Sequence, residues 1–217
     1  MKEYNEILDS IRVAEMRDKA EAYFEKYWLD KDEYFEKWLP IQNSIFDSRA
    51  EFLPDMMFNN GFELYPLVGG GIFVSQQDYQ CLQNCMEETG DKNFVVVQNK
   101  NVFGGPFTRF RYKVDDTWDE LMSGGFFGTE HFNNPCKDYF VFGDSANWGR
   151  YVGTSWIVPG NRFELNPLNI MGFKKEYSDV FRKNFDKVRL LEPQITPEIL
   201  FSEWLPDSYK QPSVPLG

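Results

Sequence analysis

The chain has 217 residues, of which 18% are aromatic, and a formal net charge of -11. That length and apolar bulk suffice for one substantial core, which excludes intrinsic disorder except in the last few residues. The acid excess repels phosphate backbones and argues against DNA or RNA as the main partner, no apolar run reaches the roughly 18 residues of a membrane span, and three cysteines fit a reducing cytoplasm better than a disulfide framework. The charged start, MKEYNEILDS, also lacks the apolar core of a signal peptide.

Residues 1–55 hold 8 Lys/Arg against 14 Asp/Glu, a net of -6 that accounts for about half of the total excess. Tyr4, Ile7, Leu8, Ile11 and Ala14 recur at three- and four-residue spacing, so one helix is expected over 2–28. Asp30 with Glu33 three residues on signals a helix restart, followed by the apolar stripe Tyr34, Phe35, Trp38 and Leu39. Pro40 is expected to end or kink this piece, with a further helix from Ile41 to Phe52. The chain thus divides into an acidic helical segment (1–55), an α+β region (56–205) and an irregular tail (206–217), all forming one compact unit.

Beyond Asn60-Gly61 the character changes. Two apolar runs flank Gly69-Gly70-Gly71, and Ser75 and Gly90 bracket a helix as its caps. Strands are expected at 93–99, 107–114, 138–143, 149–153 and 155–158, with a short helix at Thr117–Met122. An amphipathic helix is expected at 173–185, and a last helix from Thr196 to Trp204. Helices first, then strands interrupted by helices, give an α+β fold with a mainly antiparallel β-sheet packed with helices.

Four stretches carry candidate chemistry. VFGDS (141–145) is similar to the nucleophile block of GDS-type (SGNH) hydrolases, which implies Ser145 as nucleophile. The single histidine, His131, precedes it, and no Asp-x-x-His pair follows, so that family's order is absent. The structural alternative is a hairpin with Asp144-Ser145-Ala146-Asn147 at its tip. Cys81 and Cys85 share a helix face and, with His131 and Cys136, could form a tetrahedral zinc site. The neighbouring Leu82 and Met86 favour buried core thiols instead, so no metal is expected. Gly69-Gly70-Gly71 lacks the Lys-Ser/Thr of a phosphate loop, and no cofactor is expected. Asp115 and Asp116, with Asp119 and Glu120, could hold a hard cation, but they also fall where a helix N-terminus favours negative charge. Arg109, Arg111 and Lys113 alternate with apolar residues and are expected on the solvated face of a strand, near acids.

YFVFGDSANWGRYV (139–152) resembles the strand, polar turn, Gly and aromatic-strand element of the SMI1/KNR4 (SUKH) superfamily, and FLPDMMFNNGFEL (52–64) resembles its Leu-Pro and Asn-Gly landmarks. Together they cover about an eighth of the chain. The gap between Leu-Pro and Asn-Gly is shorter than in the family, and the acidic N-terminal helices have no counterpart there. Many bacterial members are immunity proteins that neutralise toxins, so the resemblance implies a cytoplasmic protein-binding domain, with enzymatic activity left open. Its basic partner, such as a nuclease toxin, would be steered by acidic charge. The binding residues are then expected to be Asp144, Asn147, Trp148 and Tyr151, with Asp115 and Asp116, although both aromatics could equally pack in the core. Two alternatives stand beside this one. The first is an enzyme or small-ligand binder with an aromatic-lined pocket and Arg109, Arg111, His131 and Asp144 as polar groups. The second is a structural protein that self-associates through its N-terminal helices.

Overall fold

A straight helix from Tyr4 to Phe24 would hold these residues about 30 Å apart, yet their rings lie 5.2 Å apart. The chain reverses between α1 (Asn5–Ser10) and α2 (Ala14–Tyr27), with Ile11 and Val13 extended. The single helix expected over 2–28 is therefore two, and the reversal lets Tyr4 pack on both Phe24 and Trp28. The computed structural model describes residues 2–50, 57–67, 72–73, 75–99, 107–123, 138–155 and 166–189. Gly69-Gly70-Gly71, His131, Cys136, the expected helix at 196–204 and the C-terminal tail lie outside these residues.

Asp30 caps α3 (Lys31–Glu33) by accepting from the backbone N–H groups of Asp32 and Glu33. The helix then passes through Pro40 instead of ending there. A π-helical turn (Tyr34–Trp38) shifts the hydrogen bonding so that the Leu39 N–H reaches back five residues to the Tyr34 carbonyl, and α4 (Leu39–Ile45) carries Pro40 in its first turn, where no donor is needed. This helix stops at Ile45, short of the expected Phe52, because Phe46 turns extended and forms a β-bridge with Phe58.

Six strands form one antiparallel sheet in the order β1-β6-β5-β4-β2-β3, confirming the α+β class. They are β1 (Phe62–Leu67), β2 (Asn93–Gln98), β3 (Arg109–Lys113), β4 (Tyr139–Gly143), β5 (Trp148–Ser155) and β6 (Asn166–Lys174). The strand expected at 149–153 is part of a longer one that already includes Trp148 and reaches Ser155. β6 was not anticipated from its sequence: NPLNIMGFK opens on a turn-like Asn-Pro and contains Gly172, yet it sits between β1 and β5.

Both faces of the sheet are covered. On one, α1, α2, α5 (Gln76–Thr89) and α7 (Ser178–Arg189) enclose Phe94, Val96, Phe110, Tyr112, Val141 and Trp148. On the other, Trp38, Ile45, Phe46 and Phe58 pack on Val95, Val97, Phe140, Phe142 and Ile170. Gly149 and Gly172 are cross-strand partners beneath that second layer. A Cβ on Gly149 would fall 2.7 Å from Ile45 and Phe46, and one on Gly172 2.5 Å from Phe58, so the glycine pair makes room for the rings. The N-terminal segment also closes an edge of the sheet. Trp28 bridges Phe110, and the Leu29 N–H donates to the Arg109 carbonyl (3.0 Å). No helix among the described residues is long and apolar enough to cross a membrane.

Candidate functional site

Asp144 and the Asp115-Asp116 pair, 28 residues apart in sequence, come to the same end of the sheet. Gly143 pairs with Phe94 and Lys113 with Asn93, so the two acidic turns flank the start of β2. Asp144 accepts from the Lys92 N–H (2.9 Å) and from the backbone N–H and side-chain amide of Asn93 (3.1 Å each). Asp91, buried beside it, accepts from the Ser145 N–H (2.6 Å), the Trp148 indole N–H (2.8 Å) and the Thr89 hydroxyl (2.6 Å). A Cβ on Gly143 would fall 2.1 Å from the Asp91 carboxylate. Gly-Asp-Ser is thus a structural latch: Gly143 makes room for Asp91, Asp144 ties down the start of β2, and Ser145 offers its backbone N–H. The Ser145 hydroxyl accepts from the Asn147 N–H (3.3 Å) inside the turn, where Ala146 adopts a positive φ of 59°.

Two of the expected anchors are not at the surface. Trp148 and Tyr151 are both fully buried, on opposite faces of β5. Tyr151 donates to the buried Asp138 carboxylate. Asn147 donates to the Thr89 carbonyl (3.4 Å) and accepts from the Lys174 ammonium (3.2 Å). Asp116 is buried and closes its turn by accepting from the Lys113 N–H (2.8 Å), and burial raises its carboxyl above the ordinary aspartate value. Asp115 is exposed. Neither residue caps the following helix, α6 (Trp118–Met122). Thr117 does so, in a reciprocal capping box with Glu120.

Arg111 and Lys113 lie exposed on β3 as expected, with Arg111 meeting an acid, whereas the N-terminal segment covers Arg109. Arg109 is buried, with its guanidinium 5.5 Å from the Trp28 ring, 5.9 Å from Tyr34 and 4.9 Å from Phe107. It donates to the Leu29 carbonyl and pairs with Glu3. Arg111 donates to both carboxylate oxygens of Glu33 (2.6 Å each). Part of the N-terminal acidity therefore fastens that segment to the sheet.

One buried charged cluster escaped the sequence reading. Arg150, fully buried in β5, donates through Nη1 to Asp78 in the first turn of α5 (3.0 and 3.3 Å) and through Nε to Asn169 of β6 (3.1 Å). Among the described residues, its Nη2 and the hydroxyl of Tyr27 are buried side-chain atoms without a hydrogen-bond partner. The signal available in the sequence was only an arginine inside an apolar strand. Cys81 and Cys85 are buried on α5, and burial pushes the Cys85 thiol up from its ordinary value. Among the described residues no group of three or more His, Cys, Asp or Glu side chains could hold a metal.

The large exposed apolar side chains among the described residues are Val13 (53%), Met16 (41%) and Phe35 (41%), and all three belong to the acidic N-terminal segment. In the same segment Glu6, Asp18, Asp32 and Glu36 have no ion-pair partner among the described residues. No protein-family model matches the chain, and no curated protein or solved structure shows a significant match to it.

Proposed function

We propose that the protein is a protein-binding domain whose acidic N-terminal segment docks a basic partner. The observation that carries this reading is the coincidence of exposed Val13, Met16 and Phe35 with the part of the chain that holds -6 of the net charge. Apolar side chains supply binding energy when a partner covers them, and the surrounding acids steer and orient a positively charged surface. The docking surface is thereby relocated from the hairpin at Trp148 and Tyr151, which the core occupies, to α1, α2 and the turn around Phe35. The SMI1/KNR4-like stretches support the narrower proposal of an immunity-type inhibitor acting in the cytoplasm on a basic toxin. An acidic surface would compete there with the toxin's phosphate-bearing substrate.

The test is affinity capture from the native host, followed by calorimetry with each captured protein. Wild type is expected to retain a basic protein whose affinity falls steeply with salt. Replacing Asp18 and Glu36 by Lys, or Met16 by Ser, is expected to weaken it at least tenfold (about 1.4 kcal/mol) while leaving the circular dichroism spectrum unchanged. Equal affinity for wild type and both variants counts against the proposal.

A further inference from the structure

We infer that Asn60 is a site of spontaneous covalent modification, at which the folded protein closes the side chain onto the Gly61 nitrogen as a succinimide and releases ammonia. Asn60-Gly61 is the single Asn-Gly step in the sequence. Both residues are exposed, in a turn between the Phe58 bridge and β1. The reaction needs an unrestrained side-chain amide, a backbone nitrogen not held in a hydrogen bond, and no bulk on the residue that follows. Among the described residues neither the Asn60 amide nor the Gly61 N–H has a hydrogen-bond partner. Gly61 has a φ of 100°, and a Cβ there would meet nothing within 4 Å, so its nitrogen is open to approach. Asn59, one residue earlier, is the contrast. Its amide donates to the Asn43 (2.8 Å) and Phe46 (3.2 Å) carbonyls. The amides of Asn93, Asn147 and Asn184 are likewise engaged, and each precedes a bulky aromatic residue.

In the step itself the Gly61 nitrogen bonds to Asn60 Cγ as the Cγ–Nδ2 bond breaks, and the Gly61 amide proton leaves with Nδ2 as ammonia. Water then opens the ring. Addition at Cγ gives aspartate and restores the original backbone. Addition at the main-chain carbonyl carbon gives isoaspartate, which routes the backbone through Cβ and Cγ and lengthens it by one carbon. Both ends of the turn are fixed against that extra length: the Asn59 N–H donates to the Ile45 carbonyl (2.9 Å), and Phe62 pairs with Lys174. Isoaspartate therefore strains the link between β1 and the layer that packs Phe46 and Phe58 over the sheet, whereas aspartate only adds a charge.

The experiment incubates the full chain in mildly alkaline buffer and maps its peptides by mass spectrometry, beside a synthetic peptide of residues 57–64 as the unrestrained reference. Aspartate and isoaspartate are expected at position 60, formed at a rate within about tenfold of the peptide's, while Asn59 keeps its amide. The isoaspartate fraction is expected to melt below both wild type and Asn60→Asp, and Asn60→Ser to abolish the products and the loss of Tm. A rate more than about tenfold below the peptide's, an added barrier above about 1.4 kcal/mol, overturns the site, as does equal conversion at Asn59. An isoaspartate fraction that melts with wild type overturns the consequence for β1.

Discussion

Asp91 and Glu120 carry the same functional group, and their environments move it in opposite directions. Burial raises the Asp91 carboxyl above its ordinary 3.8, outweighing the bonds from Thr89, Ser145 and Trp148. Glu120, exposed, is held down to about 2 by the Thr117 backbone N–H, with Lys26 and the Thr117 hydroxyl assisting. The folded state therefore holds the Asp91 proton more tightly than the unfolded chain does. Its contribution to stability is complete below 3.8 and is lost as pH rises through the folded value. Glu120 behaves in reverse: its contribution is complete above 4.5 and is lost as pH falls towards about 2. In urea titrations, the stability of wild type minus that of Asp91→Asn should decline as pH rises from below 3.8 and then level off. The same difference for Glu120→Gln should grow between about pH 2 and 5. Gly143→Ala drives a methyl group into the Asp91 carboxylate and should cost about 2–3 kcal/mol through the displaced buried hydrogen bonds, read as a lower urea midpoint at unchanged slope.

At the scale of elements, α5 is fastened to β5 at both ends, by Asp78 on Arg150 and by Asp91, just past the helix, on Trp148. Arg150→Ala should destabilise by about 3–5 kcal/mol, because it leaves the buried Asp78 charge unmatched. The double variant Arg150→Met with Asp78→Leu should recover most of that loss, and chemical denaturation of the three proteins separates the outcomes. Local signals made some elements readable from sequence: the Asp30, Ser75 and Thr117 caps and the positive φ of Gly90 all act within a turn of their own residues. β6 was not readable, because its Asn, Pro and Gly carry turn signals that tertiary packing overrides. Trp148, Tyr151 and Arg150 failed for one shared reason. Alternation along a strand separates core from solvent only when one face is wet, and here helices cover both. Pro40 was read correctly as an obstacle, but the π-helical turn that accommodates it depends on packing around Tyr34 and Trp38.

For the molecule as a whole, part of the acidity of the N-terminal segment is structural. Glu3 and Glu33 hold it to the arginines of β3, and Trp28 and Leu29 complete that edge of the sheet. Removing residues 1–46 should expose the β3 edge and the Arg109 site, and light scattering should then show association that the full chain lacks. Under the proposed function, Glu6, Asp18, Asp32 and Glu36, together with exposed Val13, Met16 and Phe35, would meet the partner. The most direct measurement places a photo-activatable cross-linking residue at position 16 or 35, with position 147 in the hairpin as control, and irradiates the protein in its host cell. The proposed function predicts adducts to a basic protein from 16 and 35 and none from 147. Adducts from the hairpin alone, or none from either N-terminal position, would contradict it.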